Sequence, residues 1–200
     1  MAYSDFTLKK IKTDLNIKLV EDNSLFSAIL ASSVSDTLIN TLKRNVPLAR
    51  AINTEKARSE LIIINILLEV KTQLADQISL FSGIDFNVDK EKGLSGFCDY
   101  IISRSPEQFY LERPVMAIVE AKNENIISGL GQCIAAMYAA QLYNKQENND
   151  DLPSLYGAVT TGNEWKFIQL IKDSAYIDTD YYYITELPKI IGILLATATN

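Results

Sequence analysis

The stretch Pro114-Val-Met-Ala-Ile-Val-Glu-Ala-Lys-Asn123 decides the fold, because it is an apolar strand that ends in the pattern Glu120-x-Lys122. Side chains two positions apart in a strand project from the same face, so Glu120 and Lys122 are predicted to lie together. Asp99 stands in an earlier strand-like run, Gly96–Ser103. A neighbouring strand that carries Asp99 would complete a cluster of two carboxylates and one ammonium group.

A cluster of this kind suits metal-assisted phosphoryl chemistry. Mg²⁺ and Mn²⁺ are bound by carboxylate oxygens. A lysine beside the metal can orient a water or stabilise negative charge on a phosphoryl group. The alternative to a metal site is an ordinary ion pair between Glu120 and Lys122 at a solvated strand end. The pattern also occurs at Glu69-Val-Lys71, on a predicted helix where residues two apart do not share a face, and at Glu164-Trp-Lys166, which has no acidic strand before it.

Composition limits the classes of protein that fit. The chain has 200 residues, of which 48% are hydrophobic and 22% charged, as is typical of one soluble globular domain. It has no histidine, which excludes Ser-His-Asp and Cys-His mechanisms and histidine-based zinc sites. The two isolated cysteines are predicted to be reduced and buried. Because no apolar run reaches the roughly 20 residues that span a bilayer, and the first residues lack a secretory layout, we expect a cytoplasmic protein.

The net charge of −6 argues against a general nucleic-acid coat protein. The charge is uneven, however, since residues 1–60 hold nine Lys and Arg against seven Asp and Glu, a balance of +2. These basic residues either meet a phosphate backbone or form a solvated helix face. Those nearest the predicted long helix are Lys43, Arg44, Arg50, Lys56 and Arg58.

Hydrophobic periodicity and turn residues predict the order of the elements. The first 50 residues are predicted to be helical, with Ser24 or Asp22 capping an apolar pattern at Leu25–Leu30 and with Pro47 as an interruption. A long helix is predicted from Glu55 to Gln77. The remaining patterns predict strands at Ile78–Val88, Leu94–Ser103 and Val115–Ala121, a helix at Ile126–Tyr143, a surface loop at Asn144–Asp151 with Pro153, a hairpin of Leu155–Thr160 and Trp165–Ile171, a short strand at Tyr181–Ile184 and a closing helix at Leu187–Ala198. The predicted fold class is α/β, with a mixed central sheet flanked by helices.

This order, with the residues it carries, resembles the PD-(D/E)XK nuclease superfamily, whose restriction-endonuclease-like fold has an αβββαβ core. Glu60 on the long helix, Asp99 on the second strand and Glu120-Ala-Lys122 on the third match the family's motif positions. The segment Leu155–Gln169 also looks like the hairpin of type I restriction-enzyme nuclease-domain relatives. The resemblance covers roughly residues 54–198 and depends on the order of short motifs.

The resemblance implies a role for each matching residue. Asp99 and Glu120 would bind Mg²⁺ or Mn²⁺, with the carbonyl of Ala121 as a further ligand. Lys122 would position or activate the attacking water. Glu60 would hold a second metal or a metal-bound water, unless it only flanks a buried helix segment.

Gln132 is the remaining candidate site residue. Many relatives carry a glutamine on the helix after the third strand, and Gln132 stands in that place, where it could instead cap the helix. RecB-like members have Gln-x-x-x-Tyr, whereas this chain has Ala136 at that spacing and a tyrosine only at Tyr138. Cys98 stands where the family name has proline. The chain therefore departs from the RecB-like pattern.

The expected organisation is a helical N-terminal extension, residues 1–53, and a nuclease-like domain, residues 54–200, in one compact unit. The resemblance implies a metal-dependent phosphodiester hydrolase, an endonuclease that acts on DNA with Mg²⁺ or Mn²⁺. The partners implied are DNA and either a second copy of the chain or another protein, with no membrane. The alternative function is a catalytically inactive nuclease-fold module for binding or assembly, or an accessory subunit that needs a partner protein.

Overall fold

A computed structural model describes residues 1–145 and 154–199. Most of the predicted loop at Asn144–Asp151, together with Pro153, lies outside the described residues. No helix of the described residues is long and apolar enough to cross a membrane. The helices are Leu8–Asp14 (α1), Asp36–Ile52 (α2), Glu55–Arg58 (α3), Ile64–Leu74 (α4), Ile126–Lys145 (α5) and Leu187–Thr199 (α6), and the strands are Lys18–Val20 (β1), Ser79–Asp85 (β2), Phe97–Ser103 (β3), Val115–Ala121 (β4), Leu155–Thr160 (β5), Glu164–Ile171 (β6), Ser174–Ile177 (β7) and Tyr182–Tyr183 (β8).

The long helix predicted from Glu55 to Gln77 is present, but its geometry changes along its length. α3 continues through a π-helical turn, Ser59–Ile63, into α4, and a 3-10 turn at Ala75–Gln77 ends it. We refer to residues 55–77 as the composite helix. The helix begins where Thr54 Oγ1 accepts a hydrogen bond from the Ala57 amide at 3.1 Å, because this satisfies a donor that has no partner within the helix.

The strands form one mixed sheet with the order β1-β7-β6-β5-β4-β3-β2, and β8 pairs with β6. β2, β3 and β4 are antiparallel neighbours, whereas β4 and β5 are parallel. Parallel neighbours require a crossover connection, and α5 lies between β4 and β5 in the chain. The prediction of an α/β fold with a mixed sheet flanked by helices is confirmed.

β4 lies at the buried centre of this sheet. Every residue from Val115 to Ala121 is buried. Ile118 belongs to a hydrophobic core shared with α1 and α5, and Val119 belongs to a second core shared with α4 and α6. A strand covered on both faces explains the almost unbroken apolar run in its sequence.

The predicted helix at Leu25–Leu30 is wrong, because tertiary contacts use the backbone groups that a helix would need. The amide of Leu25 donates to Asp178 Oδ1 at 3.2 Å. Lys189 Nζ donates to the carbonyl oxygens of Phe26 and Ser27, each at 2.9 Å. These bonds hold the segment against α6 in an irregular conformation.

The prediction that Pro47 interrupts a helix is also wrong, since Pro47 lies inside α2. Proline removes one helical hydrogen bond and usually kinks or breaks a helix. Here the ring is on the exposed side of α2, while the opposite side buries Leu38, Leu42 and Ala49. Burial of that apolar side holds the helix together across the proline.

β1 and β7 were not predicted, because strands of three and four residues are too short to show an alternating pattern. They pair in parallel, with Lys18 opposite Ser174. The N-terminal 53 residues therefore contribute a strand to the edge of the sheet, in addition to α1 and α2.

The first 35 residues contact helices on both faces of the sheet. A Cβ atom on Gly131 of α5 would lie 2.7 Å from the carbonyl carbon of Thr7, and a Cβ on Gly192 of α6 would lie 3.2 Å from that of Leu30. Backbone at these distances leaves no room for a side chain, so both glycines permit the N-terminal segment to approach a helix closely.

We predict that Gly131→Ala lowers the free energy of unfolding by about 1–3 kcal/mol, as overpacking of a filled site does. Alanine would otherwise favour a helix by about 1 kcal/mol, so the sign of the change reports the contact with Phe6 and Thr7. Chemical denaturation measures it. The control is Ile127→Ala, on the exposed side of the same helix, for which we expect a change within about 0.5 kcal/mol. Equal stability of the two variants would contradict this packing.

Candidate active site

The pairing of β3 with β4 brings Asp99 and Glu120 together. The β3–β4 pairing reaches Tyr100 and Val119, which are opposite each other in the antiparallel register, so Asp99 and Glu120 are the next residues of the two strands. Side chains directly opposite each other lie on one face, with Cβ atoms about 4.5–5.5 Å apart. Asp99 Oδ2 also accepts a hydrogen bond from the Ala121 amide at 2.8 Å, which fixes the aspartate against the end of β4.

Lys122 completes the cluster that the sequence predicts. Its Nζ lies 2.6 Å from Glu120 Oε1 and donates to Gln132 Oε1 at 3.3 Å. Glu120 is 2% exposed, so this contact is a buried ion pair. The structure thus brings Asp99, Glu120, Lys122 and Gln132 together from β3, the end of β4 and α5.

Glycine at position 129 makes room for the lysine. A Cβ on Gly129 would lie 3.0 Å from Lys122 Cε and 2.7 Å from Val159 Cγ1. α5 can therefore approach the sheet closely enough for Gln132, one turn further along the helix, to reach the ammonium group.

Burial and the neighbouring charges shift the pKa values of this cluster. Loss of solvent and the negative charge of Asp99 raise the pKa of Glu120 to about 8, against the opposing effect of Lys122. Burial lowers the pKa of Lys122, but Glu120 outweighs it, so the net pKa of Lys122 is raised. One ammonium group compensates two ionised carboxylates only in part, so Glu120 holds its proton to a higher pH than an ordinary glutamate.

Two cavities meet at Asp99. The first, of about 430 Å³, is lined by Glu120, Lys122, Gln132 and Phe97, with a wall formed by residues 2–4. We refer to it as the lysine cavity. The second, of about 420 Å³, lies beside the composite helix and includes Glu60 and Tyr100. Asp99 lines both.

Glu60 does not join the Glu120–Lys122 cluster. Its side chain is 63% exposed and forms an ion pair with Lys56 at 3.3 Å, one turn back on the composite helix. It lines the second cavity, on the opposite side of Asp99 from Lys122. The sequence placed Glu60 on the correct helix, but the structure separates it from the lysine cavity.

Glu55 is the acidic residue of the composite helix that faces the cluster. It lines both cavities, and its charge acts on the pKa of Glu120 and of Lys122. Sequence reasoning missed it, although a signal was available. Thr54 is a capping residue, so Glu55 must lie in the first helical turn, where acidic side chains are favoured.

The carboxylates fit a divalent cation. Among the described residues, the hydrogen bonds of the pair use Asp99 Oδ2 and Glu120 Oε1, so the second oxygen of each carboxylate is available to a ligand. Mg²⁺ is usually held by one or two carboxylates, with waters and substrate phosphates as its other ligands. No group of three or more His, Cys, Asp or Glu side chains suited to a metal is found in residues 1–145 and 154–199. Asp99 and Glu120 are therefore the protein ligands that the cluster offers.

The basic residues near the composite helix divide into two kinds. Arg58 is 9% exposed and donates to Asn123 Oδ1 at 3.1 Å and to Asn53 Oδ1 at 2.9 Å. It thereby anchors the segment that follows Lys122 and does not face solvent. The exposed residues of this group are Lys43, Arg44, Arg50 and Lys56. Lys56 forms the ion pair with Glu60, and Arg50 donates to Asn163 Oδ1 at 3.0 Å.

Comparison of the chain with models of known protein families and with curated proteins finds no match. The restriction-endonuclease-like resemblance stays a prediction from the order of short motifs along the chain.

We predict that Asp99→Asn lowers the pKa of Glu120 below about 8, because a like charge is removed. Lys122→Met should raise the pKa of Glu120 above its wild-type value, because the compensating positive charge is lost. Carbon-13 NMR of the glutamate side-chain carboxyl groups, recorded against pH without metal, measures both changes. Glu60→Gln is the control and should leave the Glu120 titration unchanged. An unshifted Glu120 in Asp99→Asn would mean that the two carboxylates do not interact.

The raised pKa of Glu120 also has a consequence for stability. The pKa of Glu120 in the folded protein, about 8, lies above its ordinary value of 4.5. The contribution of the protonated carboxyl to stability is therefore fully present below pH 4.5 and is lost as the pH rises through 8. Relative to wild type, we expect Glu120→Gln to become progressively more stable between these limits. Thermal unfolding of both proteins across the pH range checks the sign, and a constant difference would contradict it.

Proposed function

We propose that this protein is a metal-dependent nuclease that hydrolyses phosphodiester bonds of DNA. The observation that carries the proposal is the convergence of Asp99 and Glu120 with the Lys122 ammonium, 2.6 Å from Glu120. A structural ion pair needs one carboxylate. A second carboxylate beside a buried one raises its pKa and opposes ionisation, so the arrangement favours a cation ligand over a purely structural role.

Each residue of the cluster has a defined part in this reaction. Asp99 and Glu120 would hold Mg²⁺ or Mn²⁺, which when bound neutralises charge on the scissile phosphate and acidifies a water. Lys122, held by Glu120 and Gln132, keeps its ammonium in the lysine cavity, where it stabilises negative charge on the phosphoryl oxygens. In hydrolysis the water oxygen forms the new bond to phosphorus and loses its proton, while the bond to the leaving oxygen breaks and that oxygen gains a proton.

The order of elements supports a restriction-endonuclease-like core. The composite helix is followed by β2, β3 and β4, then by α5 and β5, which is the αβββαβ order. Asp99 lies on the second of these strands and Glu120 on the third, at the positions that the resemblance to PD-(D/E)XK nucleases implies. The exposed basic residues of α2 and α3 are close in sequence to the composite helix and would contact the phosphate backbone.

A second candidate function is a non-catalytic module of the same fold, or an accessory subunit that needs a partner protein. The net charge of −6 favours it, because nucleic-acid binding normally requires a basic surface. The described residues hold no group of three or more His, Cys, Asp or Glu side chains that could bind a metal, which favours it as well. The two candidates differ in whether the carboxylates bind a cation.

We predict that Mn²⁺ binds the wild type and that Asp99→Asn and Glu120→Gln weaken binding at least about tenfold, the lower end of losses at metal sites. Lys122→Met should keep metal binding but lose metal-dependent cleavage of DNA, supplied both as plasmid and as a single strand, by about 100-fold or more, as loss of one charge-stabilising donor does. Isothermal titration calorimetry and agarose-gel cleavage assays measure the two effects. Glu107→Gln, in the loop before β4, is the control for both.

The outcomes separate the candidates. Metal binding without cleavage by the wild type would favour the accessory or binding module. No metal binding in the wild type would make the cluster a structural ion pair, and the nuclease proposal would fail.

Glu55 and Glu60 provide a matched pair on one helix. We predict that Glu55→Gln lowers metal-dependent cleavage by about tenfold or more, because Glu55 lines the cavity that holds Asp99, Glu120 and Lys122. Glu60→Gln removes only an exposed ion pair and should change cleavage less than threefold, in keeping with the small energies of such pairs. Cleavage rates at a fixed Mg²⁺ concentration compare them. A larger loss in Glu60→Gln would restore the assignment that the sequence suggested.

A further inference from the structure

Phe97 is an exposed aromatic residue at the entrance to the proposed site. It is 66% exposed although it begins β3, a strand whose other aromatic residue, Tyr100, is 2% exposed. Phe97 and Asp99 both line the lysine cavity, together with Glu120 and Lys122.

Two of the proposed reacting groups that line that cavity are largely buried. The side chain of Lys122 is 18% exposed and that of Glu120 only 3%, and the cavity holds about 430 Å³. The backbone of residues 2–4 is held in place there, since the Tyr3 amide donates to the Ser95 carbonyl at 3.1 Å and the Tyr3 hydroxyl donates to the Phe86 carbonyl at 2.7 Å. A fixed wall therefore limits access from one side.

An exposed aromatic ring beside the cluster favours DNA whose bases are unpaired. In a duplex the faces of the bases are covered by the neighbouring base pairs. In a single strand the bases are unpaired, and each can stack on an aromatic ring.

We propose that the substrate is DNA with unpaired bases at the cleavage point, and that Phe97 stacks on the base next to the scissile phosphate. This inference rests on the proposed nuclease function and adds the substrate class to it. Phe97 is a binding residue in this scheme, because its ring contacts the substrate and takes no part in proton transfer.

The test compares two phenylalanines that differ in position. Phe109 is 98% exposed but belongs to the loop before β4, and it is not among the residues that line the lysine cavity. Wild type, Phe97→Ala, Phe97→Tyr and Phe109→Ala are titrated with a fluorescent 12-nucleotide single strand and with its duplex. The buffer contains Ca²⁺, a cation with the same preference for oxygen ligands. A second single strand carries 2-aminopurine, whose fluorescence falls when it stacks on a ring.

We expect the wild type to bind the single strand at least tenfold more tightly than the duplex and to quench 2-aminopurine. Phe97→Ala should weaken single-strand binding at least about fivefold, the lower end of the contribution of one stacked base, and should abolish the quenching. Phe97→Tyr should keep both properties, as should Phe109→Ala. Thermal unfolding shows whether each variant is folded.

Three results would overturn the inference: equal affinity for single strand and duplex, no binding of the single strand, or equal behaviour of the two alanine variants. Failure of the nuclease proposal is distinguishable from these. A protein that cleaves duplex plasmid with Mg²⁺ but shows no effect of Phe97 keeps the nuclease and loses the inference. A protein that binds single strands through Phe97 but shows no metal-dependent cleavage keeps the stacking role of Phe97 and loses the nuclease proposal.

Discussion

The buried contact between the Glu120 carboxylate and the Lys122 ammonium is the constraint on which the rest of the structure depends. A carboxylate at 2% exposure is strongly destabilising unless a cation and hydrogen bonds compensate it. Lys122 can do so because it extends along the same face of the sheet and because Gly129 leaves space for its aliphatic chain. α5 must therefore lie close against β4 and β5, and this close packing in turn places Gln132 within 3.3 Å of the ammonium group.

The register between β3 and β4 determines whether this ion pair can also be a site. A shift of one residue would move every side chain of β3 to the opposite face, and Asp99 would then lie away from Glu120. The Ala121 amide prevents such a shift by donating to Asp99 Oδ2 at 2.8 Å. The same hydrogen bond satisfies a backbone group at the end of a buried strand, so one contact serves both the stability of the sheet and the position of the second carboxylate.

Prediction from the sequence succeeded where one segment carried the whole signal. Val115–Ala121 has the predicted bounds because an apolar run buried on both faces needs no knowledge of its partners. Leu25–Leu30 was predicted wrongly because an apolar pattern does not show that Lys189 and Asp178, far along the chain, bind the backbone of this segment. Glu60 was assigned to the site from its place on the helix, but which side of the helix faces the cluster depends on how the helix packs. Residues five apart on a helix project about 140° apart, and it is Glu55 that lines the lysine cavity.

The energetics of the cluster distinguish a structural role from a functional one. Replacement of a buried ion pair by well-packed apolar residues is often neutral or stabilising, so Glu120 and Lys122 alone contribute little to stability. Asp99 makes the contribution of this ion pair to stability less favourable, because its charge raises the pKa of Glu120. Glu55 adds a further negative charge nearby. A fold that holds two carboxylates together against their repulsion by backbone register has an incomplete charge balance. A bound cation would complete that balance, in keeping with the metal-dependent hydrolysis that we propose.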